Sequence, residues 1–241
     1  LWGLRQSFFK SIGRLKISFP LSLPAPNKNI LVIGCGQFAF SSLAPRLLSF
    51  GIWSPIAYAY DPDKFALSKF CRAFSARPVD LSSLDVSSLD DVRLVYICSD
   101  HSSHFLYAKL FLSAGIDVYC EKPLSTSLDQ LYELASIVAN SSCRFFAGYN
   151  RPHSDFIRTL RDQFRLSDSK RLFLNFHVSG HNLPADHWYR SSGQGSRIYG
   201  NLGHWIDLFV HTCFWFDNKP SIFNISISYS DPHHSDENIV V

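Results

Sequence analysis

The stretch ILVIGCGQFAF, residues 30–40, decides how the rest of the chain is interpreted. It begins with four apolar residues, three of them β-branched, which is typical of a buried strand in a parallel sheet. Gly34-x-Gly36-x-x-Ala39 follows at once. In dinucleotide-binding turns the first glycine permits a tight bend, the second lets the backbone approach a pyrophosphate, and a small third residue lets the helix pack on the strand. The stretch therefore predicts a dinucleotide site at Gly34, Gly36, Gln37, Phe38 and Ala39, unless the glycines merely connect two elements.

Short apolar runs alternate with helical patterns on both sides of this turn. Predicted strands cover residues 30–34, 55–61, 92–99, 117–120 and 144–150, and predicted helices cover 38–50, 63–74, 103–114 and 127–140. Such alternation indicates β-α-β units and a parallel sheet. We therefore predict an α/β fold that begins with a doubly wound Rossmann-type domain over residues 29–150.

The pattern changes after residue 150. Residues 171–179 and 222–230 alternate apolar with polar side chains, as half-buried antiparallel strands do, and 200–216 has a helical pattern. We therefore predict an α+β domain with a largely antiparallel sheet over residues 151–241. The chain lacks an initial Met and ends on ENIVV, which resembles the middle of a strand, so we expect this domain to be incomplete.

Residues 1–28 form a basic segment and a proline-rich linker. Leu4, Phe8 and Ile12 recur at near-helical spacing, and the first 20 residues carry four basic and no acidic side chains. Such a helix can lie on a membrane surface or dock on a protein domain. We favour docking, because a basic amphipathic pattern alone is weak evidence for a membrane.

The composition excludes several classes of protein. The net charge of +3 lies wholly in the first 20 residues, which argues against a nucleic-acid-binding surface. No apolar run reaches the roughly 18–20 residues that a membrane-inserted helix needs. The six cysteines form no C-x-x-C pair, so we expect free thiols in the cytoplasm rather than a disulfide or zinc framework.

Polar residues follow the predicted strands where a dinucleotide would bind. Asp61 ends the second strand, and a carboxylate there accepts from ribose hydroxyls and repels a 2′-phosphate. This favours NAD, with NADP as the alternative cofactor. Ser99, His101 and His104 follow the third predicted strand and are expected near the nicotinamide, although each could equally be an ordinary loop residue or helix cap.

Residues 182–208 are rich in His, Arg, Asp and Gly. His204 and Asp207 lie three apart and share a helix face, and histidine can exchange an alcohol proton near neutral pH. A metal site from His181, His187 and His204 is a minor alternative, because these residues lack the usual ligand spacing. We expect no metal.

Four segments resemble the glucose–fructose oxidoreductase/inositol dehydrogenase (Gfo/Idh/MocA) family in register. They are GCGQFA, YICSDHSSH, AGIDVYCEKPLS and GYNRPHS. The resemblance implies that Lys122 is the catalytic lysine, that Glu121 supports it beside the cofactor, that Lys122-Pro123 is cis, and that His204 is the general acid/base. It also implies homo-oligomers through the C-terminal sheet.

The stretch PADHW…GQGSRIYGNLGHWIDL resembles a narrower branch, found in bi-domain oxidoreductases of polysaccharide biosynthesis. That resemblance leads us to expect a preceding domain. Many relatives carry Asp four residues before the catalytic His, where this chain has Gly200. The branch carries Glu one residue later, where this chain has Asn201. Candidates for the substrate-binding wall are Tyr149, Arg151, His187, Trp188, Arg197, Asn201 and Asp207.

These features predict an NAD(P)-dependent oxidoreductase. Hydride would pass between the nicotinamide and a secondary alcohol or ketone of a sugar, nucleotide sugar or cyclitol, in a cleft where Lys122 and His204 both reach the reacting oxygen. The missing acids motivate one alternative, a non-catalytic NAD(H)-binding sensor or scaffold. A second alternative is an oxidoreductase whose bound cofactor passes hydride between two sugars without leaving.

Overall fold

The run Ile30–Ile33 is a central strand of a six-stranded parallel sheet. All four of its residues are buried, because packed side chains cover both faces of the sheet. Ile30 and Val32 belong to one hydrophobic cluster, and Leu31 and Ile33 belong to the other. The alternation of side chains along a strand thus feeds two cores, and the first domain has the predicted Rossmann-type α/β fold.

The structure is a computed structural model that describes residues 2–48, 53–82, 86–166, 173–180, 183–215, 222–229 and 239–241. The chain divides into two units, Leu1–Ala147 and Gly148–Val241. The strands are β1 (Leu23–Pro24), β2 (Ile30–Ile33), β3 (Trp53–Ser54), β4 (Ile56–Tyr60), β5 (Arg77–Pro78), β6 (Leu94–Ile97), β7 (Asp117–Cys120), β8 (Phe145–Ala147), β9 (Ser228–Tyr229) and β10 (Ile239–Val240). The α-helices are α1 (Trp2–Arg14), α2 (Ala44–Leu47), α3 (Lys64–Phe74), α4 (His104–Ser113), α5 (Leu128–Asn140), α6 (Asp155–Leu166) and α7 (Gly203–Cys213).

The strand order in the main sheet is β5-β4-β2-β6-β7-β8, and every neighbouring pair is parallel. This is the strand order of Rossmann dinucleotide-binding folds, whose ligands bind at the carboxyl ends of the strands where the order reverses. In this chain the order reverses between β2 and β6. Strand β5 was not predicted, because it has only two residues and one of them is Pro78, which is tolerated at a sheet edge.

Most predicted helices of the first unit are present with nearly the predicted bounds. Asp63 begins α3 by accepting hydrogen bonds from the backbone N–H groups of Phe65 and Ala66, and Ser127 begins α5 in the same way. The predicted helix 38–50 differs, because it starts with a π-helical turn at Ala39–Leu43 and continues as the short α2. Residues 49–50 lie outside the described part of the chain.

Helix α1 packs on the first unit. Phe9 and Ile12 are buried in the cluster that contains Phe40 and Phe74, and the rings of Phe9 and Phe74 are stacked 6.2 Å apart. Phe8, which the sequence placed on the apolar face, is exposed. The docked alternative for this helix therefore agrees with the structure, with Phe9 rather than Phe8 as its anchor.

The second unit differs from its prediction. The predicted helix 200–216 appears as a π-helical turn at Ile198–Leu202 followed by α7, and α6 was not predicted at all. Residues 173–180 and 222–227 contain no strand, whereas β9 falls within the predicted strand 222–230 and pairs in antiparallel fashion with β10. Residues 171–172, 216 and 230 lie outside the described part. Alternating polarity shows only that one face of a segment could be buried, whereas a strand also needs a partner backbone. Among the described helices, none is long and apolar enough to cross a membrane.

Candidate active site

The glycine turn joins β2 to the helical segment that follows it. Gly34 has a φ of +88°, and a Cβ atom there would lie 2.5 Å from the carbonyl carbon of Cys98. Only glycine fits such a bend and such a close approach. Gly36 differs, because a Cβ atom there would meet nothing within 4 Å. The space above Gly36 fits the pyrophosphate of a dinucleotide, which the backbone can approach there.

Asp61 follows β4 and faces the turn. Its Oδ2 accepts a hydrogen bond from the Cys35 N–H at 2.7 Å, and its Oδ1 accepts one from the Asp63 N–H at 2.8 Å. A carboxylate has about four acceptor positions, so it retains capacity for ribose hydroxyls.

Three other predicted cofactor residues belong to the turn itself. Gln37 donates its side-chain amide to the carbonyl of Lys10, Phe38 is exposed and Ala39 is fully buried. The small Ala39 side chain is therefore the one on which the helix packs against the sheet.

The histidines after β6 are buried. His101 and His104 are 3% and 1% exposed. The Nδ1 of His104 lies 2.6 Å from the carbonyl oxygen of Pro123, and its Nε2 lies 3.1 Å from that of Ser99. Burial lowers the pKa of His104. This geometry favours a role in which His104 holds the backbone of two candidate segments together rather than touching a ligand.

The Glu121-Lys122-Pro123 segment follows β7, and the Lys122-Pro123 bond is cis. The Glu121 N–H donates to the carbonyl of Ile97, which ties the segment to the end of β6. The hydroxyl of Tyr119 donates to the Glu121 carboxylate at 3.2 Å. Burial raises the pKa of Glu121, although the Tyr119 hydrogen bond and the Lys122 ammonium both act to lower it. The Glu121 carboxylate and the Lys122 amine thus lie close enough to interact electrostatically, and both residues are half-buried.

The second unit brings some of its predicted residues together. The rings of Tyr149 and His204 lie 5.7 Å apart, edge to face. Tyr149 and Asp207 line a cavity of about 390 Å³ together with Ile198, Tyr199, Gly203 and Ile206. Burial raises the pKa of Asp207, and within the described part of the chain its Oδ2 has no hydrogen-bond partner. Asp207 is therefore a candidate acceptor for a hydroxyl group.

Other predicted residues of the second unit make structural contacts. The guanidinium of Arg151 lies 4.6 Å from the centre of the Trp205 ring. His187 begins the turn Trp188–Arg190, because its Nδ1 accepts a hydrogen bond from the Tyr189 N–H at 3.2 Å. The ring of Trp188 stacks on His187 and is 45% exposed. Arg197 and Asn201 are half-buried on either side of Gly200.

Tyr189 is a residue that sequence reasoning missed. A Cβ atom at Gly200 would lie 2.5 Å from Cε2 of Tyr189 and 2.7 Å from its Cζ. The Tyr189 ring therefore fills the space where the side chain of the acid implied by the family resemblance would begin. The sequence signal that could have indicated this is Gly200 itself. A glycine at the position where relatives carry an acid leaves space that another side chain can occupy.

No group of three or more His, Cys, Asp or Glu side chains suited to a metal ion occurs in the described part of the chain. His181, which belonged to the minor metal alternative, lies outside that part.

The glycine turn and the Glu-Lys-Pro segment both fall within the region that matches a known family. Residues 28–149, half of the chain, match the model of the oxidoreductase family GFO_IDH_MocA, described by its NAD-binding Rossmann fold. The chain belongs to the Gfo/Idh/MocA family. Its first unit is therefore an NAD-binding Rossmann domain.

Individual members of the Gfo/Idh/MocA family are only distantly similar. The chain is 25% identical to YceM of Salmonella typhimurium over 141 residues, which is 58% of this chain and 45% of YceM. It is 23% identical to inositol 2-dehydrogenase of Rhizobium meliloti over 111 residues, 45% of this chain and 33% of that enzyme. The chain thus spans less than half the length of these curated relatives.

A solved NAD-binding protein from Listeria innocua superimposes with a TM-score of 0.65 at 19% identity. The match covers 79% of this chain and 55% of that protein. At this identity the likeness shows the fold alone.

The two glycines of the turn should respond differently to alanine. We expect Gly34→Ala to lower the free energy of unfolding by about 2 kcal/mol, because it forces a side chain into a left-handed conformation and against backbone. We expect Gly36→Ala to fold normally but to bind NADH about tenfold more weakly, because the methyl group occupies the space that the cofactor needs. Urea unfolding and NADH fluorescence titration measure the two effects. Wild-type NADH affinity in Gly36→Ala would contradict this assignment.

Tyr119→Phe should raise the pKa of Glu121 further, because it removes a hydrogen bond that favours the charged carboxylate. The chain has only three glutamates, so carbon-13 labelling of glutamate lets NMR follow this titration directly. Tyr96→Phe is the control. The ring of Tyr96 lies 4.9 Å from that of Tyr119, but it is the Tyr119 hydroxyl that donates to Glu121. Equal Glu121 titration curves in wild type and Tyr119→Phe would refute the hydrogen bond.

Gly200→Asp should destabilise the protein, because its Cβ atom would overlap the Tyr189 ring. We expect a loss of about 1–3 kcal/mol. Tyr189→Ala opens that space. The loss of unfolding free energy in the double variant should therefore be smaller than the sum of the two single losses, by about 1 kcal/mol or more. Urea unfolding of all four proteins measures this coupling. Strictly additive effects would show that Tyr189 does not occupy the space of the missing acid.

Proposed function

We propose that this chain transfers hydride between the nicotinamide of NAD and a secondary alcohol or ketone carbon of a sugar, nucleotide sugar or cyclitol. The observation that carries the proposal is the position of Glu121-Lys122-Pro123. The segment follows β7 at the carboxyl end of the sheet that carries the glycine turn, and it is tied to the neighbouring strand β6. Inositol is a cyclitol, so the similarity to inositol 2-dehydrogenase supports this class of substrate.

Lys122 has the central role in the proposed reaction. Bound NAD supplies the hydride chemistry. The Lys122 ammonium donates a hydrogen bond to the substrate oxygen and stabilises the negative charge that develops there. The neighbouring Glu121 interacts with this amine, since the Lys122 ammonium acts to lower the pKa of the Glu121 carboxyl.

We assign the proton transfer to His204, following the family resemblance. Its imidazole is oriented by the edge-to-face contact with Tyr149. Asp207 lies one helical turn further along α7 and offers its buried Oδ2 to a substrate hydroxyl. Neither Gly200 nor Asn201 can relay a proton, so His204 would exchange it with water or with the substrate's own hydroxyls.

The second candidate function is a non-catalytic NAD(H)-binding sensor or scaffold. One specific observation favours it. The Tyr189 ring fills the space above Gly200, so the acid that the family resemblance places there cannot be accommodated without a rearrangement. The first unit keeps its cofactor turn in either case.

Further properties follow from the same proposal. NAD is favoured over NADP, because the Asp61 carboxylate faces the turn and would repel a 2′-phosphate. All six cysteines are free thiols, which suits the reducing cytoplasm. Exposed apolar side chains at Phe173 and Ile222 support self-association through the second unit.

Lys122→Ala separates the two candidate functions. Purified wild type should bind NADH with a change in its fluorescence and reduce or oxidise at least one member of a panel of sugars, nucleotide sugars and cyclitols. The variant should keep its NADH affinity within about threefold and lose turnover by a factor of about 100 or more, because charge stabilisation in the transition state is lost. Lys109→Ala is the control, since Lys109 is an exposed residue paired with Glu133 on the outer helices. NADH binding with no turnover in wild type on any substrate would establish the sensor instead.

A further inference from the structure

A second feature of the first unit lies beside the glycine turn. A cavity of about 180 Å³ is lined on one side by Gly36 and Gln37 and on another by Phe65 and Lys69 of α3. Its remaining wall is formed by residues 13–16, at the end of α1. The cavity therefore connects the space above Gly36 with the basic N-terminal segment.

Lys69 fixes that wall in place. Its side chain is 6% exposed, and its Nζ donates to the carbonyl oxygens of Ile12 at 3.1 Å, Gly13 at 2.6 Å and Leu15 at 2.6 Å. These are carbonyls at the C-terminal end of a helix, where a cation is electrostatically favoured. The three bonds satisfy all three donors of the ammonium group.

Two further contacts hold the same segment. Gln37 donates to the carbonyl of Lys10, and a Cβ atom at Gly13 would lie 3.0 Å from the Gln37 amide oxygen. Phe9 and Ile12 anchor α1 in the core. Residues 13–16 thus contact both Lys69 of α3 and Gln37 of the glycine turn, so this wall of the cavity is held in place by the fold.

Arg14 and Lys16 bring positive charge to this wall. Both line the cavity and both are exposed. Within the described part of the chain neither forms an ion pair with a carboxylate. The charge of Lys69 is already directed at backbone carbonyls. Two cations that lack a carboxylate partner, next to a glycine with open space above it, match the chemistry of a phosphate group.

We propose that Arg14 and Lys16 bind a phosphate of the nicotinamide dinucleotide, so that the N-terminal helix is part of the cofactor site. The inference rests on the proposed function, because it needs the dinucleotide to bind at the glycine turn. The phosphate is either the pyrophosphate, present in both cofactors, or the 2′-phosphate, present only in NADP.

Titration with NADH and NADPH tests the proposal by fluorescence, without any turnover. The double variant Arg14→Ala/Lys16→Ala should bind at least one cofactor about tenfold more weakly than wild type. Raising NaCl from about 50 to about 500 mM should weaken cofactor binding by the wild type more than binding by the double variant, because salt screens exposed charges. Weaker binding of both cofactors identifies the pyrophosphate, and weaker binding of NADPH alone identifies the 2′-phosphate.

The control removes the same charge elsewhere. Lys10→Ala/Arg72→Ala takes two exposed cations from α1 and α3 that do not line the cavity. Its affinities should stay within about twofold of wild type. Unchanged affinity for both cofactors in the Arg14/Lys16 variant, or an equal loss in the control, would overturn the proposal and leave the proposed function intact. Failure of wild type to bind either cofactor would overturn both.

Discussion

The backbone of the glycine turn touches the end of β6, and the positions of the other candidate residues in the first unit depend on this contact. The Gly34 N–H donates to the carbonyl of Tyr60, at the end of β4, while the Cys98 N–H donates to that of Ile33. Only a residue without a Cβ atom at position 34 lets the backbone of Cys98 approach closely enough for both hydrogen bonds to form. Because Asp61 follows β4 and Ser99 follows Cys98, fixing the turn also fixes the polar residues on either side of it.

A buried histidine extends this arrangement to the next strand. His104 lies between the carbonyl oxygens of Ser99 and Pro123, and we assign its proton to Nδ1, which makes the shorter contact. Burial lowers its pKa, so the imidazole stays neutral near physiological pH and donates one hydrogen bond. The segment that carries Lys122 is thus connected to the glycine turn through backbone groups and one neutral ring.

Much of the first unit could be predicted from sequence because its signals are local. The ILVI run is buried on both faces, and Asp63 and Ser127 cap the helices that follow them, so these features are set by a few consecutive residues. The π-helical turn at Ala39–Leu43 could not be read in this way, since it depends on how the helix packs. Helix α6 also has local signals in the sequence, since Ser154 precedes it and Asp155 lies in its first turn; in the structure Ser154 accepts from the Ile157 N–H.

Two features of the second unit could not be predicted from local sequence patterns. Alternating polarity in residues 173–179 and 222–227 is not accompanied by a strand, because strand pairing is a non-local property that alternation does not specify. The filling of the space above Gly200 by Tyr189 is non-local as well, because eleven positions of chain separate the two residues. The sequence revealed the missing acid, but only coordinates could show that another side chain occupies its place.

The charges of the first unit are separated along the crevice at the carboxyl ends of the strands. Arg14 and Lys16 lie on one side of the glycine turn, without carboxylate partners in the described part of the chain, where attraction to an anion can act through solvent. Glu121 and Lys122 lie beyond β6, where burial raises the pKa of the carboxylate and the Lys122 ammonium acts to lower it. Exposed cations hold a highly charged ligand at little desolvation cost, whereas charges in a half-buried position interact more strongly with each other because less water screens them. The first unit therefore carries exposed cations on one side of the glycine turn and a half-buried carboxylate and amine on the other.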